Sequence, residues 1–455
     1  MSEPTKGGRR PAFFLDLFVD VRPNEYAAMW ASFVFFFFVL SSYFILRPIR
    51  DLVAVTTGVT KLPWLFAGTL IVMLIVNPLF SATVVRVPVR RLVPMTYHFF
   101  AASLLVFFFI MRATATGSSA GAPWIGIIFY VWLSVYNLFN TSVFWCFMAD
   151  VFRSEQAKRL FGFIGVGGTL GSITGSGVTA TLATRIGPVN LFLVSVVLLE
   201  IAALIVLRFP PSPRSPGEDG VVERDEAPPI GGSMWAGITS LMKSPYLVGI
   251  AGFQILYTIG STLLYFEQTD IVGRYYSSPA ERTGILAKIE FFVQLLTIIT
   301  QIFLTGRVIR WLGLGLTLAL LPAMSIIGFS SLGAAPVLAT LVMFMVFRRG
   351  TNFGLTNPAM EVLFTVVSRE DKYKAKSFIE TFVYRAGDQI GAWTYAVFTA
   401  VGLGVSGSAY GAVPFSVAWL ALGLWLGRRQ AQLAATEPRS SLPNADRVPE
   451  MARLP

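Results

Sequence analysis

Apolar residues fill this chain in long, nearly uninterrupted runs, without the alternating or one-sided spacing of elements in soluble proteins. Most runs are about 20 residues long, the length that an α-helix needs to cross the hydrocarbon core of a bilayer. The pattern therefore predicts an all-α membrane protein with twelve transmembrane helices. The tenth is the shortest, because Arg348 and Arg349 end its apolar run. In chain order the predicted spans are Ala27–Leu46, Leu62–Val85, Leu92–Met111, Pro123–Ala149, Leu160–Ala183, Pro188–Leu207, Tyr246–Asp270, Ile285–Thr305, Trp311–Ser331, Ala335–Phe347, Phe378–Leu403 and Tyr410–Leu426.

The longest polar interruption separates the sixth span from the seventh, and its prolines and mixed charges are typical of a linker. A short basic loop follows the second span and recurs after the eighth, which favours two pseudo-symmetric six-helix halves. The predicted organisation is a cytoplasmic N-terminal segment 1–26, a bundle 27–208, a cytoplasmic linker 209–244, a second bundle 245–428 and a cytoplasmic tail 429–455.

Charge is scarce in this chain and unevenly distributed. Charged residues make up 13% of the sequence and hydrophobic residues 54%, whereas soluble domains carry about 25% charged residues. Of the 36 Lys and Arg residues, 27 fall in segments that are cytoplasmic if the N-terminus is inside. Because basic residues concentrate in cytoplasmic loops, both termini are predicted to lie in the cytoplasm. This topology accounts for most of the positive charge, so no nucleic-acid binding is expected.

Other features limit the possible functions. Pro11–Val19 is too short an apolar stretch for a cleavable signal peptide and is predicted to form a surface helix. The chain has one Cys and one His, Cys146 and His98, so neither a disulfide framework nor a protein-built metal centre is expected. No cofactor and no obligate protein partner are predicted, and no nucleophile–base set indicates an enzyme.

The end of the first span carries charge on one helical face. Tyr43, Arg47 and Arg50 stand at i, i+4 and i+7, and Asp51 follows. Because arginine binds two oxygens of a carboxylate or phosphate at once, the first three residues are predicted to bind an anionic solute. Asp51 is predicted to act in gating or coupling. The alternative is a purely structural ion pair between Arg47 and Asp51.

The fifth span is rich in glycine. Gly167, Gly171 and Gly175 recur every four residues, a spacing that lets two membrane helices approach closely. The three are therefore predicted to pack helices. A dinucleotide-binding loop is not expected here, because no strand precedes these glycines.

The seventh span ends with two carboxylates. Ionisable residues at membrane depth are costly and usually mark a transport pathway, so Glu267 is predicted to bind solute and Asp270 to act in gating. The alternative is that Glu267 caps its helix in water.

The eleventh span holds Glu380, Tyr384 and Asp388 on one arc, with Arg385 beside them. Tyr384 and Arg385 are predicted to bind solute, and the two carboxylates to act in gating. Mutual neutralisation of Arg385 and Asp388 is the alternative. Further candidates are Asn137 and Asn140 of the fourth span for solute binding and Glu290 of the eighth for coupling.

Several segments together resemble one family. Phe144–Asp150 (FWCFMAD) and Glu155–Phe161 (EQAKRLF) resemble the pattern of bacterial and plastid ATP/ADP translocases, in which Glu-Ala-Lys-Arg-Phe precedes a glycine-rich helix. Leu46–Asp51 (LRPIRD) is similar to that family's Leu-Arg-x-x-Lys-Asp. Asn357–Glu361 (NPAME) and Lys374–Glu380 (KAKSFIE) also resemble it, and Glu361 is predicted to act in gating.

The resemblance implies a major-facilitator fold and a site that recognises a nucleotide by a few intramembrane charges. Arg50 stands at the family's first-span lysine, and Glu267 corresponds to its seventh-span glutamate. No acid stands near Leu133 or Ser134, where the fourth-span glutamate would fall, and Asp388 occupies the position of the eleventh-span lysine. The chain is therefore identified as a divergent bacterial relative, in which ATP/ADP exchange does not carry over unchanged, and the resemblance implies a location in the bacterial inner membrane.

The predicted function is alternating-access exchange of a small anionic, phosphorylated solute such as a nucleotide across the lipid bilayer. Proton-coupled transport of another small molecule is a second possibility, supported by the carboxylates at membrane depth. A third is a non-transporting membrane scaffold or assembly factor, which a stable co-purifying partner would favour.

Overall fold

The computed structural model describes residues 21–116, 123–210, 241, 244–367, 375–376 and 378–436, and every regular element within them is helical. Two π-helical turns, Asn352–Thr356 and Ile379–Val383, and a 3-10 turn, Phe364–Val366, lie between α-helices. The α-helices are α1 Tyr26–Thr57, α2 Leu62–Arg86, α3 Val89–Thr116, α4 Pro123–Val151, α5 Ser154–Ile186, α6 Leu191–Leu207, α7 Pro245–Tyr275, α8 Pro279–Phe303, α9 Thr305–Ala334, α10 Leu338–Thr351, α11 Asn357–Leu363, α12 Tyr384–Ala400 and α13 Val405–Thr436.

The two halves repeat one packing scheme. In the first half α1 packs against α4, α5 and α6, and α3 packs against α4 and α6. In the second half α7 packs against α10, α12 and α13, while α9 packs against α10 and α13. Seven of the described helices are long and apolar enough to cross a membrane individually. The predicted all-α membrane fold with twelve spans in two six-helix halves is confirmed.

Glycines line the seam between α1 and α5. A Cβ atom placed on Gly167, Gly171 or Gly175 would overlap a backbone carbonyl oxygen of α1. The Ser41 hydroxyl donates a hydrogen bond across this seam to the Gly171 carbonyl, with 3.0 Å between the oxygens. Close backbone contact of this kind supports helix association where no hydrophobic driving force acts between apolar helices.

The two halves pack together through α5 against α8 and through an apolar cluster at one end of the bundle. This cluster joins Val55 of α1 and Leu65 of α2 to Leu263 and Phe266 of α7. The other two apolar clusters each contain residues of one half only. The end that joins the halves contains the C-terminus of α1, which the predicted topology assigns to the outer side of the membrane.

The tenth span differs from its prediction at its C-terminal end. The chain stays helical through Arg348 and Arg349, and with the π-turn and α11 it continues to Leu363. Assignment of this arginine pair to a cytoplasmic loop was therefore wrong. The helix continues past the two arginines because each guanidinium contacts an oxygen atom inside the bundle.

Pro358 explains the π-turn that follows the arginine pair. Proline has no N–H for the carbonyl four residues earlier, which is that of Gly354, and its ring clashes with that carbonyl in a regular helix. The Thr305 hydroxyl donates to the freed Gly354 carbonyl, and the Gln301 amide donates to the Phe353 carbonyl at 3.2 Å. Side chains of neighbouring helices thus replace the lost backbone hydrogen bonds.

Parts of the predicted organisation lie outside the described residues. They include the surface helix Pro11–Val19, most of the linker 209–244, and the tail beyond residue 436.

Candidate functional site

One carboxylate joins the two halves near the middle of the bundle. Glu290 of α8 is 3% exposed and lies 3.1 Å from Arg47 of α1, measured from Oε1 to a guanidinium nitrogen. Its Oε2 lies 2.8 Å from Arg349 of α10, and the Gln294 amide donates to Oε1 at 2.9 Å. Two arginines from opposite halves therefore converge on Glu290.

The second arginine of the first span binds an aromatic partner. Arg50 donates to the Tyr130 hydroxyl at 2.9 Å, and its guanidinium carbon lies 4.3 Å from the centre of that ring. The Nε of Arg50 is buried without a hydrogen-bond partner. Asp51 binds elsewhere: its carboxylate accepts a hydrogen bond of 2.9 Å from Tyr265 of α7, across the boundary between the halves.

Arg348 is buried inside the second half, with 2% of its surface exposed. Its guanidinium donates to the Ser325 and Ser261 hydroxyls at 3.1 and 3.0 Å and to the Tyr257 carbonyl at 3.2 Å. The Tyr257 and Trp419 rings lie 5.5 and 5.9 Å from its central carbon. Within the described chain its partners are uncharged, so its positive charge is not cancelled by an ion pair.

The eleventh span contributes a second charged pair. Arg385 lies 3.4 Å from Asp388, and the Thr262 hydroxyl donates to the other Asp388 oxygen at 3.3 Å. The predicted mutual neutralisation of the pair is therefore present in the geometry. Tyr384 lies beside the Arg385 guanidinium, 5.7 Å away, and is close enough to Arg47 for an electrostatic interaction.

These ionisable residues form one group, which we call the central cluster. It holds five guanidiniums and three carboxylates, so it is formally cationic within the described part of the chain. Tyr43, on the same face as Arg47, is buried beside it. Its members are Arg47, Arg50, Asp51, Glu290, Arg348, Arg349, Arg385 and Asp388.

Glu267 lies apart from the central cluster, on the stretch of α7 that supplies Leu263 and Phe266 to the apolar joint between the halves. It is fully buried, and neither carboxylate oxygen has a hydrogen-bond partner. Neighbouring apolar residues include Phe266, whose ring centre lies 4.9 Å from that of Tyr395. Helix capping in water, the alternative drawn from the sequence, does not fit this burial.

The remaining predicted residues are dispersed. Asp270 pairs with Arg274 on its own helix, with 2.6 Å between nitrogen and oxygen. On the opposite side of the second half, Lys376 lies 2.7 Å from Glu361 and 3.6 Å from Glu380, and both carboxylates are exposed.

The two asparagines of α4 have different environments. Asn140 is fully buried and donates to the Val39 carbonyl at 3.2 Å, which is a packing contact inside the first half. Asn137 is half-buried on the same helix.

Sequence reasoning missed Arg348, Arg349 and their aromatic neighbours. A usable signal was present, because the 33 residues from 335 to 367 contain only three charges, those of Arg348, Arg349 and Glu361. Such a stretch is too apolar for a loop, and the arginine pair within it should have been placed at membrane depth. The aromatic partners had no comparable signal.

A charged cluster between two pseudo-symmetric helical bundles defines a multi-pass membrane protein built to transport a solute. The chain belongs to the Major Facilitator Superfamily, whose family model matches residues 29–391. It is therefore a secondary transporter, of a family that is generally not enzymatic.

Similar proteins support a distant relationship to nucleotide carriers. ADP,ATP carrier protein 2 of Chlamydia pneumoniae is 26% identical over 44% of each chain, so the match spans less than half of that relative. ADP,ATP carrier protein 1 of Chlamydia trachomatis is 21% identical over 82% of each chain. The resemblance to ATP/ADP translocases is confirmed as that of a divergent relative.

Solved structures share the fold. A bacterial homologue of the human lysosomal transporter Spinster, in an inward-facing and unoccupied conformation, matches with a TM-score of 0.57 and 13% identity. The match covers 91% of this chain and 99% of that chain. A mutant of the nucleoside transporter NupG has a TM-score of 0.52 and 13% identity over 90% of this chain and 99% of its own.

Proposed function

We propose that this transporter exchanges an anionic, phosphorylated solute, such as a nucleotide, by alternating access. The observation that carries the proposal is the central cluster, in which five guanidiniums outnumber three carboxylates. Uncompensated positive charge at membrane depth is costly, and a bound anion would offset it. Arginine suits phosphate in particular, because its planar fork donates to two oxygens at once.

Alternating access would follow from rocking of the two halves about the central cluster. We propose that both termini are cytoplasmic, as the distribution of basic residues indicates, and that the protein resides in a bacterial inner membrane, as its similarity to bacterial carriers suggests. The apolar joint then closes the outer side, and the described state faces inward. The names of the chlamydial relatives support a nucleotide, while Asp388 at the position of a family lysine argues for a change in specificity.

Counterflow into proteoliposomes with a panel of nucleotides and sugar phosphates tests this proposal. Arg50→Ala should lower exchange about tenfold or more, because a charge-assisted contact to phosphate is lost. Arg307→Ala is the matched control, since Arg307 is exposed and its side chain donates to the Phe303 carbonyl, away from the central cluster. Absence of anion exchange by the wild-type protein, or unchanged exchange in Arg50→Ala, contradicts the proposal.

Glu267 favours a second candidate, proton-coupled transport. A buried carboxyl group without a hydrogen-bond partner favours the neutral, protonated form, because charge is poorly solvated there. Opening of the joint would hydrate Glu267 and release its proton, which would couple proton movement to the conformational change.

Uptake driven by an imposed pH gradient separates the two candidates. Under proton coupling, Glu267→Gln should abolish gradient-driven accumulation while leaving exchange between equal solute pools intact. If accumulation is insensitive to the gradient in the wild-type protein, proton coupling is excluded.

A further inference from the structure

The contacts of Glu290 differ from those of an ordinary structural ion pair. It binds one arginine of each half, Arg47 across the boundary and Arg349 within its own half. Arg349 donates to both carboxylate oxygens, at 2.8 and 3.1 Å. Two guanidiniums held around one oxyanion are the arrangement that a phosphate group requires.

Both arginines remain accessible despite this pairing. Arg47 is 23% exposed and Arg349 is 17% exposed, while Glu290 is only 3% exposed. Part of each arginine side chain is therefore open to an incoming anion, whereas Glu290 is enclosed. Since Glu290 is also held by Gln294, it has a partner that remains when the arginines turn away.

We propose that Glu290 is an internal substitute for the phosphate group of the solute, and that Arg47 and Arg349 together form the phosphate subsite. In the empty protein Glu290 neutralises this subsite. A bound phosphate displaces it, because the dianion attracts two guanidiniums more strongly than a single carboxylate does. This inference rests on the proposed function and adds Arg349 and the competing carboxylate to it.

The competition has a consequence for the transport cycle. The Arg47–Glu290 contact crosses the boundary between the halves, so separation of the halves breaks it. In the empty carrier Arg47 would then lose its direct carboxylate contact, which makes the movement unfavourable. Solute that has displaced Glu290 removes this obstacle, which explains why exchange would be favoured over movement of the empty carrier.

Two variants remove the contact between Arg47 and Glu290, each by changing a different one of the two residues. Glu290→Gln deletes the competing anion and leaves both arginines, whereas Arg47→Gln deletes one arm of the subsite and leaves Glu290 paired with Arg349. Each is purified whole in a Cys146→Ser, Val55→Cys background. Val55 is buried in the apolar cluster that joins the halves, so thiol labelling at this position reports opening of the joint. Glu281→Gln, an exposed carboxylate at the start of the same helix, is the control.

The readouts are thiol labelling of the empty protein and binding of ATP and inorganic phosphate. Both variants should be labelled several-fold faster than the control, because the contact between Arg47 and Glu290 across the boundary is lost. Binding should shift in opposite directions, about tenfold tighter in Glu290→Gln and about tenfold weaker in Arg47→Gln. A purely structural ion pair predicts equal shifts in the same direction.

The outcomes distinguish this inference from the proposed function. Faster labelling in both variants without anion binding by any form overturns the phosphate subsite and the proposed anion exchange together. Wild-type labelling in both variants overturns the inference, and so does weaker binding in Glu290→Gln, even if the wild-type protein exchanges nucleotides. If Glu290→Gln does not fold, faster labelling with weaker binding in Arg47→Gln supports the inference, and unchanged labelling there overturns it.

Discussion

The two halves of this transporter share one packing scheme but have different interiors. In the first half one apolar cluster runs through most of the bundle, and its buried hydroxyl groups pair with one another, as those of Ser42 and Tyr136 do at 2.8 Å, while the buried carboxylate of Glu25 lies just before the start of α1. In the second half Glu290, Arg348 and Asp388 are buried among the spans. The described π-turns also lie in the second half.

The difference indicates a division of labour between the halves. Apolar interiors pack densely and resist rearrangement, so the first half is suited to move as a rigid body. Ion pairs and π-turns offer alternative partners and geometries, and π-turns are frequent at functional sites. The second half is therefore suited to local change during the transport cycle.

Alanine substitution of glycines at tight helix contacts is expected to have the largest effect on stability. The two contacts compared are that of α5 with α1, at Gly171, and that of α12 with α7, at Gly387. In Gly171→Ala the new Cβ meets the backbone carbonyl of Phe37, which cannot move alone, whereas in Gly387→Ala it meets the Thr258 hydroxyl group. We expect losses of unfolding free energy of about 3 and about 1 kcal/mol, respectively. Thermal unfolding in detergent measures both, with Gly162→Ala as control because its Cβ meets open space. Equal losses at the two seams would remove this distinction between the halves.

Arg348 tests whether charge in the second half serves function rather than stability. In Arg348→Met, Ser261 and Ser325 keep hydrogen bonds to the Tyr257 and Leu321 carbonyls, so no polar group is orphaned. Removal of a buried charge should leave stability unchanged or raise it by about 1 kcal/mol. Exchange of anionic solute should fall about tenfold, as measured by counterflow. A loss of stability as large as that of Gly171→Ala would show that the charge is structural.

The smallest expected effect concerns the start of the first span. Burial alone would raise the pKa of Glu25, but the backbone N–H of Arg22 and the side chains of Gln156 and Arg159 donate to it and lower its pKa below the ordinary 4.5. Its stabilising contribution is therefore complete above about pH 4.5 and lost as the pH falls through the lowered pKa. In the second half, by contrast, the first helix α7 is capped by the uncharged hydroxyl group of Ser244, which accepts a hydrogen bond from the Leu247 backbone N–H.

The difference between wild type and Glu25→Gln measures this contribution. The free energy of unfolding of the variant should be about 1 kcal/mol lower than that of the wild type near pH 7. This difference between the two proteins should disappear as the pH falls below 4.5. A gap that stays constant with pH would mean that the charge of Glu25 does not contribute.

Sequence patterns predicted the spans better than the site. The run of apolar residues in the first span ended at Leu46, yet α1 continues to Thr57 and carries Arg47 and Arg50 into the bundle. The tenth span was cut short at Phe347 for the same reason, since a charge was taken as the end of a membrane helix. Hydropathy cannot distinguish a charge in water from one that a distant residue neutralises.

Span number, fold class and the glycine spacing of the fifth helix were determined by the sequence alone, because they depend on local length and composition. A helix needs about 20 apolar residues to cross the bilayer wherever its neighbours lie. Only the tertiary structure decided that Glu290 joins Arg47 to Arg349, that Arg348 has uncharged partners, and that Glu267 is buried without one. Those contacts link residues as many as 243 positions apart, and their geometry exists only after the two halves have packed together.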